Sequence, residues 1–162
     1  NQMTPTEVKA GFLLNLMQFV EWPDTAFSST RAPITIGVIG ADPLSNSLGR
    51  AVYGQSIKGR TVTVHKYNFG DDLRSCQVLF VSASEQARLM QILSAVVGES
   101  VLTVSDAQGF TQAGGVIQFV VEDDQVKFSV NREIATQAKL QISANLLNLS
   151  RVIHDTRAER NR

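Results

Sequence analysis

Residues 34–39 read Ile-Thr-Ile-Gly-Val-Ile, a nearly unbroken run of β-branched side chains. A strand with one face in water alternates apolar with polar residues, whereas a run without that alternation suits a strand covered on both faces. Such strands belong to parallel sheets, whose neighbours need a crossover segment between them, usually a helix. The stretch that follows, Gly40-Ala41-Asp42-Pro43, offers this: Asp42 as N-cap and Pro43 at the first position of a helix running to about residue 52. Strand then helix recurs. Strands are expected at 61–66, 77–81 and 101–104, with a helix between the last two that opens at Ser82-Ala83-Ser84-Glu85. Ser82 and Glu85 have capping-box spacing, and the helix is expected to turn Leu89, Met90, Leu93, Val96 and Val97 inward before ending at Gly98.

The first helix has a legible start. Thr4-Pro5-Thr6-Glu7 places Thr at the N-cap, Pro at the first turn and Glu three residues after the cap. It is expected to run to about residue 20 and must stop before Pro23. Val8, Phe12, Leu13, Leu14, Leu16, Met17, Phe19 and Val20 cover well over half its circumference, leaving a thin seam of Gly11, Asn15 and Gln18. A helix this apolar is either enclosed by the fold or shared with a second molecule.

After Gly114-Gly115 the rhythm changes. Segments 116–121 and 126–130 flank Asp123-Asp124 and read as an antiparallel hairpin. Asn131 caps a short helix, and Ser143 opens a last one with the stripe Leu146, Leu147, Leu149, Val152 and Ile153. The expected fold is therefore a three-layer α/β sandwich, its sheet mostly parallel with an antiparallel hairpin at one edge. Without repeat, low-complexity tract or linker, residues 1–153 read as one α/β domain and 154–162 as a polar, frayed tail.

Charge narrows the partners. Fifteen basic residues balance 15 acidic ones, so no surplus of Lys and Arg exists to hold nucleic acid. The apolar stretch 8–22 is interrupted by Lys9, Asn15, Gln18 and Glu21 and falls short of the ~20 apolar residues of a membrane span. The chain opens on Asn-Gln-Met-Thr-Pro with no basic n-region, so a signal peptide is expected to have been removed already. Cys76, the only cysteine, has no partner for an intramolecular disulfide and reads as a small buried hydrophobe before a strand.

The chemistry of catalysis is thinly represented. Neither a G-x-S-x-G elbow nor a Walker A loop occurs, and Gly37 and Gly40 do not complete G-x-G-x-x-G. His65 and His154 have no His or Cys at metal-ligand spacing, and Asp71-Asp72 and Asp123-Asp124 sit where turns favour Asp. We expect no enzyme, no cofactor and no metal. A pocket remains open as a reading. Ligands of parallel sheets bind beyond the C-terminal ends of the strands, where the loops carry Asp42, Ser82, Ser84, Glu85, Asp106 and Phe110.

Taken together, several segments resemble the YfiR-like periplasmic regulators. They are Lys9-Ala10-Gly11-Phe12-Leu13 leading to Phe19-Val20-Glu21-Trp22-Pro23, then Ile36-Gly37-Val38-Ile39-Gly40 and Gly59-Arg60. Cys76-Gln77-Val78-Leu79-Phe80-Val81-Ser82 with Ser84-Glu85 continues the set, as does Val101-Leu102-Thr103-Val104-Ser105-Asp106 with Gly109-Phe110. Gly114-Gly115-Val116-Ile117, residues 128–131 and Leu140-Gln141-Ile142-Ser143 with Leu146-Leu147 complete it, and residues 131–147 also resemble the end of one lobe of a periplasmic binding protein. The resemblance implies a periplasmic protein that restrains an inner-membrane diguanylate cyclase through that enzyme's periplasmic sensor region, lowering cyclic-di-GMP and biofilm formation. Thiol control through cysteine pairs, found in some relatives, does not carry over to a chain with Cys76 alone.

Under that reading the expected contact surface is the first helix with its exit, Phe12, Leu16, Phe19, Trp22 and Pro23, together with Phe110. An aromatic beside a rigid Pro makes a good anchor because it loses little entropy on docking. A homodimer is the other occupant considered for that face. The competing reading is a small-molecule sensor that uses the rim loops.

Overall fold

The first helix, α1, spans Pro5–Met17 in the computed structural model, which describes residues 4–122 and 125–153, with only the backbone of the last three. Its capping box forms as the spacing predicts: the Glu7 amide donates to Thr4 Oγ1 and the Thr4 amide to Glu7 Oε1, both at 3.1 Å. The helix ends three residues earlier than expected. Val20–Glu21 leave it as strand β1, and the Ser143 amide donates to the Phe19 carbonyl at 2.8 Å. Long-range pairing has overridden a local propensity that would have carried the helix on.

The main sheet grows outward from β2 (Ile34–Ile39), which lies parallel to β4 (Arg60–Tyr67) on one side and β5 (Val78–Val81) on the other. β6 (Leu102–Ser105) and β7 (Ile117–Glu122) continue in parallel, and β8 (Gln125–Asn131) returns antiparallel as the expected hairpin. With β3 (Ser56–Ile57) beside β4 and β10 (Arg151–Ile153) beside β8, the order is β10-β8-β7-β6-β5-β2-β4-β3. A separate ribbon joins β1 to β9 (Gln141–Ile142).

Alternation along the strands feeds two cores. Ile36, Val38, Val78, Phe80, Leu102 and Val104 pack on one face with α1 and with α2 (Leu44–Val52). Ile39, Leu79 and Val81 pack on the other with α3 (Leu89–Ser94). Helices on both faces of a mostly parallel sheet make the three-layer α/β sandwich read from the sequence.

Local details differ from expectation. α2 begins at Leu44, with Asp42 Oδ1 accepting its amide at 2.9 Å from two residues upstream. The Ser82–Glu85 capping box does not form: Ser82 Oγ accepts from Ser84 N, and a 3-10 turn over Ala83–Arg88 precedes α3. That turn sets the phase of α3, so Leu89, Ile92, Leu93 and Val96 face inward at the i, i+3, i+4, i+7 spacing of one helix face. Met90 and Val97 lie one position off this stripe and point outward, contrary to the sequence reading. α4 (Arg132–Gln137) is capped by Asn131 as expected. α5 (Ala144–Leu149) opens at Ser143 but stops at Leu149, which is exposed; Val152 and Ile153 belong to β10, not to a helical stripe. The Asp123-Asp124 turn and the tail from 154 lie outside the described residues.

Candidate functional site

Two regions were legible as candidates: the rim at the C-terminal ends of the strands, and α1 with its exit. The strand order places the topological switch between β2 and β5, which makes the Gly40–Asp42 and Ser82–Glu85 loops the expected walls of a crevice. Those loops close on each other. Ser84 Oγ accepts the Ala41 amide at 2.9 Å, and Ser82 Oγ donates to the Ala41 carbonyl at 3.5 Å. Gly40 permits this approach. Its φ is 111°, and a Cβ there would stand 2.6 Å from Ser82 Cβ.

The carboxylates of the rim are drawn together by a residue that sequence reasoning did not place in the site. Lys9, on α1, sets Nζ 2.7 Å from Asp106 Oδ2 and 3.5 Å from Asp42 Oδ2. Burial works against the charge on Lys9, but the hydrogen bonds and negative charges of Asp106 and Asp42 outweigh it and raise its pKa above 10.5. The other oxygen of Asp106, Oδ1, is buried with no hydrogen-bond partner among the described residues. The signal for this triad was in the sequence. A single ammonium set among Val8, Ala10, Phe12 and Leu13 requires a counter-charge wherever that helix is buried.

Of the remaining rim candidates, Glu85 is half-buried beside Gly40, and Phe110 is enclosed. Phe110 has 0% exposure and presses on Gly115, where a Cβ would collide with its ring. It is a core residue, not an anchor, because the loop after β6 folds inward over the α3 face. Cys76 is also buried there, its Sγ donating to the Leu73 carbonyl at 3.2 Å, and burial pushes its pKa up to about 12. No group of three or more His, Cys, Asp or Glu able to hold a metal occurs among the described residues.

The second region is also more enclosed than expected. Leu16 is 1% exposed and belongs to the core, since its side of α1 faces the sheet. Phe12 is half-buried, its ring 5.1 Å from that of Phe119 and 5.3 Å from that of Phe128 on the hairpin. Phe19, Trp22 and Pro23 are half-buried too. Trp22 is held by its indole: Nε1 donates to the Gln77 carbonyl at 2.9 Å. Gln77, also missed as a site residue, fastens this corner with Oε1 accepting from Thr35 N and Nε2 donating to the Ala26 carbonyl, both at 2.8 Å. What α1 shows to solvent is Pro5, Glu7, Gly11 and Asn15, with Gln18 exposed at its C-cap.

A third region has the open apolar surface that α1 lacks. Between α3 and α4 runs a groove of about 220 Å³, lined by Leu93, Val96, Val101, Val116, Ile134 and Ala138 among others. Met90 and Val97 stand on its lip, 74% and 77% exposed. Large apolar side chains gathered at a groove mark a surface suited to contact with another molecule.

The fold and its sites therefore define an α/β-sandwich protein with an open apolar groove and a rim whose polar groups bond to one another. The profile of the YfiR/HmsC-like family matches residues 6–151, nearly the whole chain, and the chain belongs to that family. No curated protein matches it. No helix among the described residues is long and apolar enough to cross a membrane.

Proposed function

We propose that this protein is a periplasmic regulator that binds the periplasmic sensor region of an inner-membrane diguanylate cyclase and restrains it, lowering cyclic-di-GMP and biofilm formation. The observation that carries this reading is membership of the YfiR/HmsC-like family over residues 6–151. Residues 1–153 act in this reading as one regulatory unit. Its contact surface is the α3–α4 groove with Met90 and Val97, and half-buried Phe19, Trp22 and Pro23 are secondary candidates. A second reading, a small-molecule sensor at the strand rim, has less support, because Ser82, Ser84, Asp42 and Asp106 bond within the fold.

The test is co-purification of the tagged protein with cyclases from detergent-solubilised membranes, together with cyclic-di-GMP measurement in cells. Met90→Glu with Val97→Glu should abolish capture and raise the nucleotide to the level of a gene deletion. Both side chains are exposed, so stability should change by less than about 0.5 kcal/mol. Capture of no cyclase by the wild-type protein, with cyclic-di-GMP unchanged on deletion, would overturn the reading.

A further inference from the structure

One edge of the main sheet is left open, among the described residues, along most of a long strand. β4 runs over eight residues, Arg60–Tyr67, and its inner side pairs with β2 from Val62 to Tyr67. On its outer side β3 covers only Arg60 and Thr61, through Ile57 and Ser56. From Val62 to Tyr67 the outward backbone groups, those of every second residue in a parallel ladder, have no backbone partner among the described residues. No side chain among the described residues bonds to them either; Thr63 and Tyr67 use their hydroxyls on Thr35 and Ser75 instead. The strand carries neither Pro nor Gly, and nothing breaks its register with β2. An uncovered row of N–H and C=O groups is a template for a further strand.

The charges along this edge select what can add to it. Lys58 and Lys66 are exposed and make no ion pair among the described residues. Arg60 is held inward, its Nη1 donating to the Ala32 and Ser29 carbonyls and its guanidinium lying 3.6 Å from the centre of the Phe27 ring. The neighbouring acids are engaged locally: Asp71 accepts the Asn68 amide and Asp72 pairs with Arg74. Lysine on an edge strand discourages pairing with a second strand of like charge, a copy of this chain included. The same lysines attract an acidic one.

We infer that the open outer edge of β4 is a docking site for an extended, acidic peptide segment of another protein, added as a further strand of the sheet. Main-chain hydrogen bonds to residues 62–67 supply the binding, and Lys58 and Lys66 supply the preference for Glu and Asp. This surface is separate from the α3–α4 groove and does not depend on which protein fills that groove.

The test uses the whole chain and three capped peptides that alternate Val with Glu, Lys or Ser, with a fourth, Val/Glu, N-methylated at every residue. Titration calorimetry at low salt should rank Glu above Ser above Lys, with at least about tenfold between the extremes. N-methylation should remove binding, because it deletes the ladder donors of both peptide edges. Amide exchange should slow at alternate residues of 62–67, and Lys66→Glu, which leaves Lys58 opposed by an acid, should flatten the charge ranking. Failure of the Glu peptide to bind, binding that survives N-methylation, or protection appearing at the α3–α4 groove would overturn the proposal. So would a concentration-dependent dimer protected along β4, which would make a second copy the occupant.

Discussion

At the C-terminal rim of the sheet, Lys9 reaches Asp106 and Asp42, and Ser82 and Ser84 bond to the backbone of Ala41. By the start of β6, Met90 and Val97 stand in solvent over a groove floored by Val101 and Val116. The first region is polar and bonded largely within the fold, with one buried carboxylate oxygen of Asp106 left over; the second is apolar and faces outward. Chemistry-bearing residue types can therefore be structural, while plain aliphatic ones are left to make contacts. Residue type is a weaker guide to function here than whether a side chain's partners lie inside the chain.

Three substitutions put that contrast at risk. Phe110→Ala, at the rim, should cost the most, about 3–5 kcal/mol by denaturant unfolding, as expected for removing a fully buried ring. A loss under about 1 kcal/mol would return Phe110 to the list of contact residues. Lys9→Met should cost about 1.5–3 kcal/mol, the worth of hydrogen bonds between charged groups, and leaves two carboxylates without their counter-charge. The folded protein holds the Lys9 proton more tightly than the unfolded chain does, since the value is raised above 10.5. Its contribution is thus whole at neutral pH and up to about pH 10.5, and drains away as pH climbs through the folded value. On raising the pH from neutrality, the gap between wild type and variant should narrow in that alkaline range; a gap that narrows near neutrality would break the assignment. Trp22→Phe keeps most of the ring and deletes the Nε1 donor to Gln77, so it should cost about 1 kcal/mol in the same unfolding assay. No measurable cost, together with lost cyclase capture, would make Trp22 an interface residue after all.

Much of the fold could be read directly. Ile34–Ile39 and the other buried strands are apolar on both faces, and the Thr4 and Asn131 caps are local signals that tertiary structure left in place. The misreadings occur where long-range contacts decide. α1 gives up its last turn to the β1–β9 ribbon, α3 takes its phase from a 3-10 turn, and Val152 and Ile153 pair with β8. The sites were harder to read for the same reason. Asp42 and Asp106 were visible as rim carboxylates, but Lys9 meets them only through the docking of α1. The groove depends on which face of α3 is buried, and a one-position error in that phase hides Met90 and Val97 in the core.

The lone thiol has a practical corollary. Cys76 is enclosed and held in its protonated form, so thiol-directed alkylating dyes do not reach its sulfur in the folded molecule. Its modification rate becomes a gauge of how often the layer beneath α3 comes apart. The native sequence thus contains its own single-site opening sensor, readable by mass spectrometry without any added label position.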